Sequence, residues 1–185
     1  MKVSVHFSGG ACFFAALLIM ILPVRWWTGA LLAATFHELC HLIAIRLTGT
    51  QLTGIIVGPF GSKIETEALS RGREVICAAA GPMGSFLFAC IMTSFPEASI
   101  CAIVQGIYNL LPVYPLDGGR ILCCVFSEPV TTGIEMFAIV MMLGFGFWFA
   151  IHLKLGFLMM IPGCILAFRC CNRKFPCKAA NIAVQ

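Results

Sequence analysis

Three polar side chains, His37, Glu38 and His41, interrupt an apolar stretch that runs from Trp26 to Ile45. Residues four apart on a helix share a face, so His37 and His41 can hold one ion together. Glu38 lies about 100° round the helix from His37, near enough to reach a water beside that ion without ligating it. This H-E-x-x-H spacing supplies two nitrogens for zinc and a carboxylate as general base, the chemistry of metal-assisted hydrolysis. Burying such groups in hydrocarbon costs several kcal/mol unless they are paired or metal-bound, so a functional site is the first explanation for them. The plainer alternative is a set of hydrogen bonds to neighbouring helices.

A second polar interruption runs from Asn109 to Arg120. Pro112 and Pro115 forbid a regular helix there, and Gly118-Gly119 permits a close approach of backbone to a neighbour. Irregular backbone at membrane depth is tolerated only where protein buries it or where it lines a wet cavity. Of the eight acids, only Glu38 and Asp117 fall well away from an expected span end; Glu65, Glu67, Glu74, Glu97, Glu128 and Glu135 read as loop or border residues. Two histidines plus Asp117 leave a fourth position for water, the open geometry of a catalytic zinc. A nitrogen and oxygen ligand set in tetrahedral reach favours zinc, although iron or cobalt could occupy it in vitro. Asp117 could instead be an ordinary turn or capping residue of Asp-Gly. Asn109, about two turns earlier, can offer an amide to a substrate backbone or an oxyanion, or bridge two helices.

The elements that must position these groups follow from composition. The chain has 185 residues, 60% hydrophobic and 11% charged, with a net charge of +4. Its mean hydropathy is +0.98. With apolar runs near 20 residues, this predicts an all-α polytopic membrane protein of about six transmembrane helices. A single membrane domain over 1–185 with its core at 26–122 is expected, with no separate soluble domain. Spans are predicted at about Val5–Val24, Trp26–Leu47, Val75–Phe95, Ile100–Leu111, Val130–His152 and Leu153–Phe168. The fourth is short unless Pro112–Leu122 continues it as irregular backbone. The first has no small-x-small cleavage site before Arg25-Trp26-Trp27 and reads as a helix rather than a signal peptide.

Orientation follows from the basic residues. With both termini cytoplasmic, ten of the twelve (Lys2, Arg46, Lys63, Arg71, Arg73, Arg120, Arg169, Arg173, Lys174, Lys178) lie inside, leaving Arg25 and Lys154 outside. That bias puts the histidines and Asp117 toward the cytoplasmic half. The same flanks account for the net charge, which gives no sign of nucleic acid. Eleven cysteines, mostly within apolar segments, read as reduced packing residues. Cys170, Cys171 and Cys177 read as ordinary thiols at a membrane edge, with metal binding or lipidation as alternatives. Gln51–Val57, then Gly58-Pro59-Phe60-Gly61, then Ser62–Thr66 read as strand, turn and strand. This predicts a membrane-associated β-hairpin after the second span, whose unpaired edge could take an extended peptide. Ala80-Gly81-Pro82-Met83-Gly84-Ser85 is a small-residue patch whose default role is close helix packing. His6 and His152, near span ends, are left out of the site.

His37-Glu38-Leu39-Cys40-His41, paired with Asn109-Leu110-Leu111-Pro112 and Pro115-Leu116-Asp117-Gly118-Gly119, resembles the site-2 protease family of intramembrane zinc metalloproteases. The resemblance covers about residues 30 to 122. In its short six-span form the chain is similar to the branch that processes a sigma-factor precursor in bacterial sporulation. The resemblance implies Zn2+ held by His37, His41 and Asp117, with Glu38 as catalytic base. It also implies substrate contacts from Asn109 and from a membrane-inserted loop containing Gly58, Pro59, Phe60 and Gly61. A multi-pass protein of the bacterial cell membrane is expected, acting on a membrane or membrane-adjacent protein. Family members often carry asparagine where this chain has Ser85, so a substrate-clamping role is not expected there. The regulatory domains of many relatives are not expected here, which would leave regulation to partners, to the membrane, or to nothing. A divalent-metal transporter would need polar groups on both sides of the site, and Ala30–Thr35 offers only Thr35. An inactive scaffold would have no use for Glu38.

Overall fold

A computed structural model describes residues 4–7, 23–58, 61–66, 69–153, 163–164 and 166–167. It divides into two compact units, Met1–Tyr108 and Asn109–Gln185.

The first unit is built on two long helices. Helix α1 spans Val24–Leu47, 24 residues and about 36 Å. It ends in a Schellman turn: Gly49 takes φ +72°, its N–H donates to the Arg46 carbonyl, and the Thr50 N–H donates to that of Ile45. Glycine suits this left-handed position because it has no Cβ to clash. Helix α2 spans Arg71–Ile91 and contains Pro82. Both helices are long and apolar enough to cross a membrane.

The faces that meet are made of small and polar residues, whereas the large apolar side chains point away. Gly29, Ala33, His37, His41 and Ala44 are buried on α1, while Leu31, Leu39, Ile43 and Leu47 are exposed. On α2, Cys77, Ala78, Gly81, Gly84, Ser85 and Phe88 are buried, and Ile76, Met83, Leu87 and Ile91 are exposed. Such packing is expected where lipid, not water, bathes the outer face: apolar side chains gain little by turning inward, and small residues let backbones come close.

Helix α3, Pro96–Asn109, has 14 residues, too few to span the hydrocarbon core alone. Pro96 opens it, a position where a missing N–H costs nothing. Ala98 and Ala102 pack with Ala33, Phe88 and Ala89 in one cluster, and the Ser99 hydroxyl donates to the Ala89 carbonyl at 2.9 Å.

A three-stranded sheet completes this unit. Strand β1 (Ser4–Phe7) pairs parallel with β2 (Leu52–Gly58), which pairs antiparallel with β3 (Gly61–Thr66). Gly58 faces Gly61 across the ladder, and Pro59 and Phe60 lie outside the described residues. The first expected span needs correction at its start: Ser4–Phe7 is a strand whose backbone pairs with Gly54–Val57. Four residues cannot announce a strand by periodicity when an apolar run follows, and only the partner strand decides it. The rest of that span, most of the sixth and the Cys170, Cys171 and Cys177 cluster fall outside the described residues.

The second unit holds α4 (Asp117–Val125) and α5 (Glu128–Leu153), of which Glu128–Trp148 is long and apolar enough to cross a membrane. Val113, Ile139 and Leu166 form its core, with Leu116, Ala138, Met142 and Leu143 against them. Glu135 needs correction too. It is no border residue but lies within α5 at 1% exposure, and its Oε1 accepts the Tyr114 N–H at 3.0 Å.

Candidate metal centre

His37 and His41 sit one helical turn apart on the buried face of α1, and their Nε2 atoms are 3.2 Å apart. The rings stand nearly perpendicular, at 82°. Each ring is held from behind by α2. The His41 Nδ1–H donates to the Cys77 carbonyl at 2.7 Å, and His37 Nδ1 is hydrogen-bonded to Ser85 Oγ at 2.8 Å. A carbonyl only accepts, so the neutral His41 ring carries its proton on Nδ1 and has its acceptor lone pair at Nε2.

Space in front of the two nitrogens is kept open by Gly81. A Cβ there would lie 2.7 Å from His37 Nε2 and closer still to His41 Nε2. Gly84, three residues on, makes room for the Cys40 side chain in the same way. The small-residue patch of α2 therefore does more than allow close packing, because one of its glycines faces both imidazole tips.

The pair fits a metal. Two nitrogens about 2.05 Å from one tetrahedral ion are about 3.3 Å apart, and the observed separation is 3.2 Å. Back-side hydrogen bonds that fix ring orientation are the usual accompaniment of histidine ligands. Glu38, one residue beyond His37, is half-buried. The Thr35 hydroxyl donates back to the Leu31 carbonyl at 2.8 Å.

In the second unit, Asp117 is the first residue of α4 and only 6% exposed. The chain reaches it through an irregular stretch with a cis Tyr114–Pro115 bond. The Val113 N–H donates to the Leu111 carbonyl, and the Leu116 N–H to the Val113 carbonyl. Gly118 and Gly119 back directly onto this stretch: a Cβ would lie 2.6 Å from the Leu111 carbonyl oxygen at the former and 2.6 Å from that of Val113 at the latter. The close approach expected of the glycine pair is thus seen, and its partner is the turn just before it. Arg120, one turn on, lies 3.5 Å from an Asp117 oxygen. Asn109 closes α3 and is half-buried.

Two polar residues have contacts that the sequence reading did not anticipate. Ser85 is fully buried behind His37, and Glu135 is buried against the turn before Asp117. Ser85 gave a usable signal, since Cys77, Gly81 and Ser85 recur at every fourth residue and so share a face. Glu135 offered only its place five residues inside a predicted span.

No protein-family model matches the chain. A zinc metalloprotease of Methanocaldococcus jannaschii is 23% identical over 140 residues, covering 68% of this chain and 39% of that protein. The chain thus spans about two fifths of the length of the curated relative that it matches. Among solved structures, the site-2 protease from Methanocaldococcus jannaschii matches with a TM-score of 0.66 and 18% identity, over 95% of this chain and 93% of that one. The chain is thus similar in sequence to a zinc metalloprotease and in fold to a site-2 protease.

Proposed function

We propose that the chain is an intramembrane zinc metalloendopeptidase that cleaves a membrane-embedded or membrane-adjacent protein near the cytoplasmic leaflet. The observation that carries this reading is the histidine pair, whose nitrogens converge at ligand spacing in front of a glycine that leaves the space free. His37, His41 and Asp117 would hold the metal. All three are buried, with Asp117 beside Arg120 at the start of its helix. Bound zinc supplies Lewis acidity toward water and toward the scissile carbonyl. Glu38 takes the proton of the attacking water and delivers it to the leaving nitrogen. Asn109 binds the substrate backbone.

Strands β2 and β3, with Gly58 opposite Gly61, would lie at the membrane edge. Strand β3, one of the two edge strands of the sheet order β1-β2-β3, accepts an extended substrate segment. Extension is needed because a helix shields the peptide bond that water must attack. The surplus of basic residues on one side supports cytoplasmic termini.

The test is co-expression of the chain and its Glu38→Gln form with candidate single-span proteins, a sporulation sigma-factor precursor among them. Shortening of a candidate by the unaltered chain only, with metal still bound to Glu38→Gln, is the expected result. Cleavage that survives the substitution would refute the mechanism.

A further inference from the structure

The two histidines are anchored by groups of different kinds. His41 leans on a backbone carbonyl, that of Cys77, which no substitution removes. His37 leans on the side chain of Ser85, which a single substitution deletes. Ser85 is 0% exposed, so water has no room to replace its oxygen. Packing around it is close: a Cβ at Gly106 of α3 would lie 3.2 Å from Ser85 Cβ.

The two anchors also differ in what they can do. A carbonyl accepts only, whereas a hydroxyl donates or accepts. Without an ion, a proton on His37 Nε2 can be donated to His41 Nε2, 3.2 Å away, and the Ser85 hydroxyl then donates to His37 Nδ1. With an ion present, both Nε2 lone pairs must face it. The His37 proton then sits on Nδ1, and Ser85 Oγ accepts it. One rotation of a hydroxyl serves both arrangements with the rings in place.

We propose that Ser85 is a positioning residue for His37, holding the ring so that Nε2 faces the metal and accommodating either placement of its proton. This rests on the zinc-site reading above and extends it to a residue one layer behind the ligands. It also gives Ser85 a role other than gripping substrate.

The test is titration of the purified, metal-free full chain in detergent with Co2+, read by the visible absorption of the bound ion and by competition with a chelator. Ser85→Ala, which removes one oxygen and keeps the packing, should bind Co2+ about 10- to 100-fold more weakly than the unaltered chain. Its band shape should change, while metal-free thermal unfolding stays close to that of the unaltered chain. Should Ser85→Ala fail to accumulate, Ser85→Gly deletes the same oxygen with less volume and must show the same loss. Equal affinity and an identical spectrum in the oxygen-deleted form would overturn the role of Ser85 alone. Absence of Co2+ binding by the unaltered chain, or binding unchanged by His41→Ala, would overturn the zinc site and the role of Ser85 with it.

Discussion

The histidines and the aspartate are presented by opposite kinds of backbone. His37 and His41 ride on an uninterrupted helix, and their aim is set by a second regular helix whose Cys77, Gly81 and Ser85 come round every fourth residue. Asp117 is aimed by a break in regular structure: two prolines stop the helix, and Gly118 and Gly119 let the next helix start against the turn it has just left. The first region has side-chain freedom to lose and backbone order to spare. In the second, little can yield, because the atoms that confront the glycines are backbone atoms of the preceding turn.

Substitutions at the glycines break this comparison hardest. Gly81→Ala puts a methyl among both imidazole tips, and metal affinity should fall about 100-fold or more in the same Co2+ titration. The chain should still fold, since the rings can swing away. Gly119→Ala should do the reverse. Its Cβ meets the Val113 carbonyl oxygen, so the turn must shift, and a loss of roughly 1–3 kcal/mol in unfolding is expected from denaturant or thermal melts. If Gly119→Ala proves as stable as the unaltered chain, the account of the turn as a rigid support fails.

Glu135 sharpens the picture of that turn. Glu135→Ala leaves the Tyr114 N–H without this acceptor and should cost about 1–3 kcal/mol, whereas Glu135→Gln keeps a carbonyl acceptor and should cost clearly less. Equal effects from the two would mean that volume, and not the hydrogen bond, matters. The smallest change is expected at Leu87, exposed on the outer face of α2. Leu87→Ala should stay within about 0.5 kcal/mol and leave Co2+ affinity untouched.

The same contrast explains what could be read in advance. The histidine face was visible because a helix imposes one period, and His37, Glu38 and His41 fall on it in an otherwise apolar run. The proline and glycine residues around Asp117 announced irregular backbone, because each restricts or releases φ whatever its neighbours. Strand β1 was not legible: Ser4–Phe7 is short and its pairing is with residues some fifty positions away. Glu135 looked like a border residue because hydropathy fades gradually at a span end, and only burial against the turn shows otherwise. The bond between Ser85 and His37 was not legible, because the two lie 48 residues apart in the sequence.

By itself, then, the sequence determined which residues can do chemistry, and that their carriers are apolar helices broken once by prolines and glycines. Those are local properties, set by side-chain type and backbone freedom within a few residues. Tertiary structure decided what stands behind each histidine, which glycine keeps the space in front of them open, and which carboxylate braces the turn before Asp117. Contacts of that kind depend on the register between helices, a choice settled by packing over the whole face that no single stretch contains.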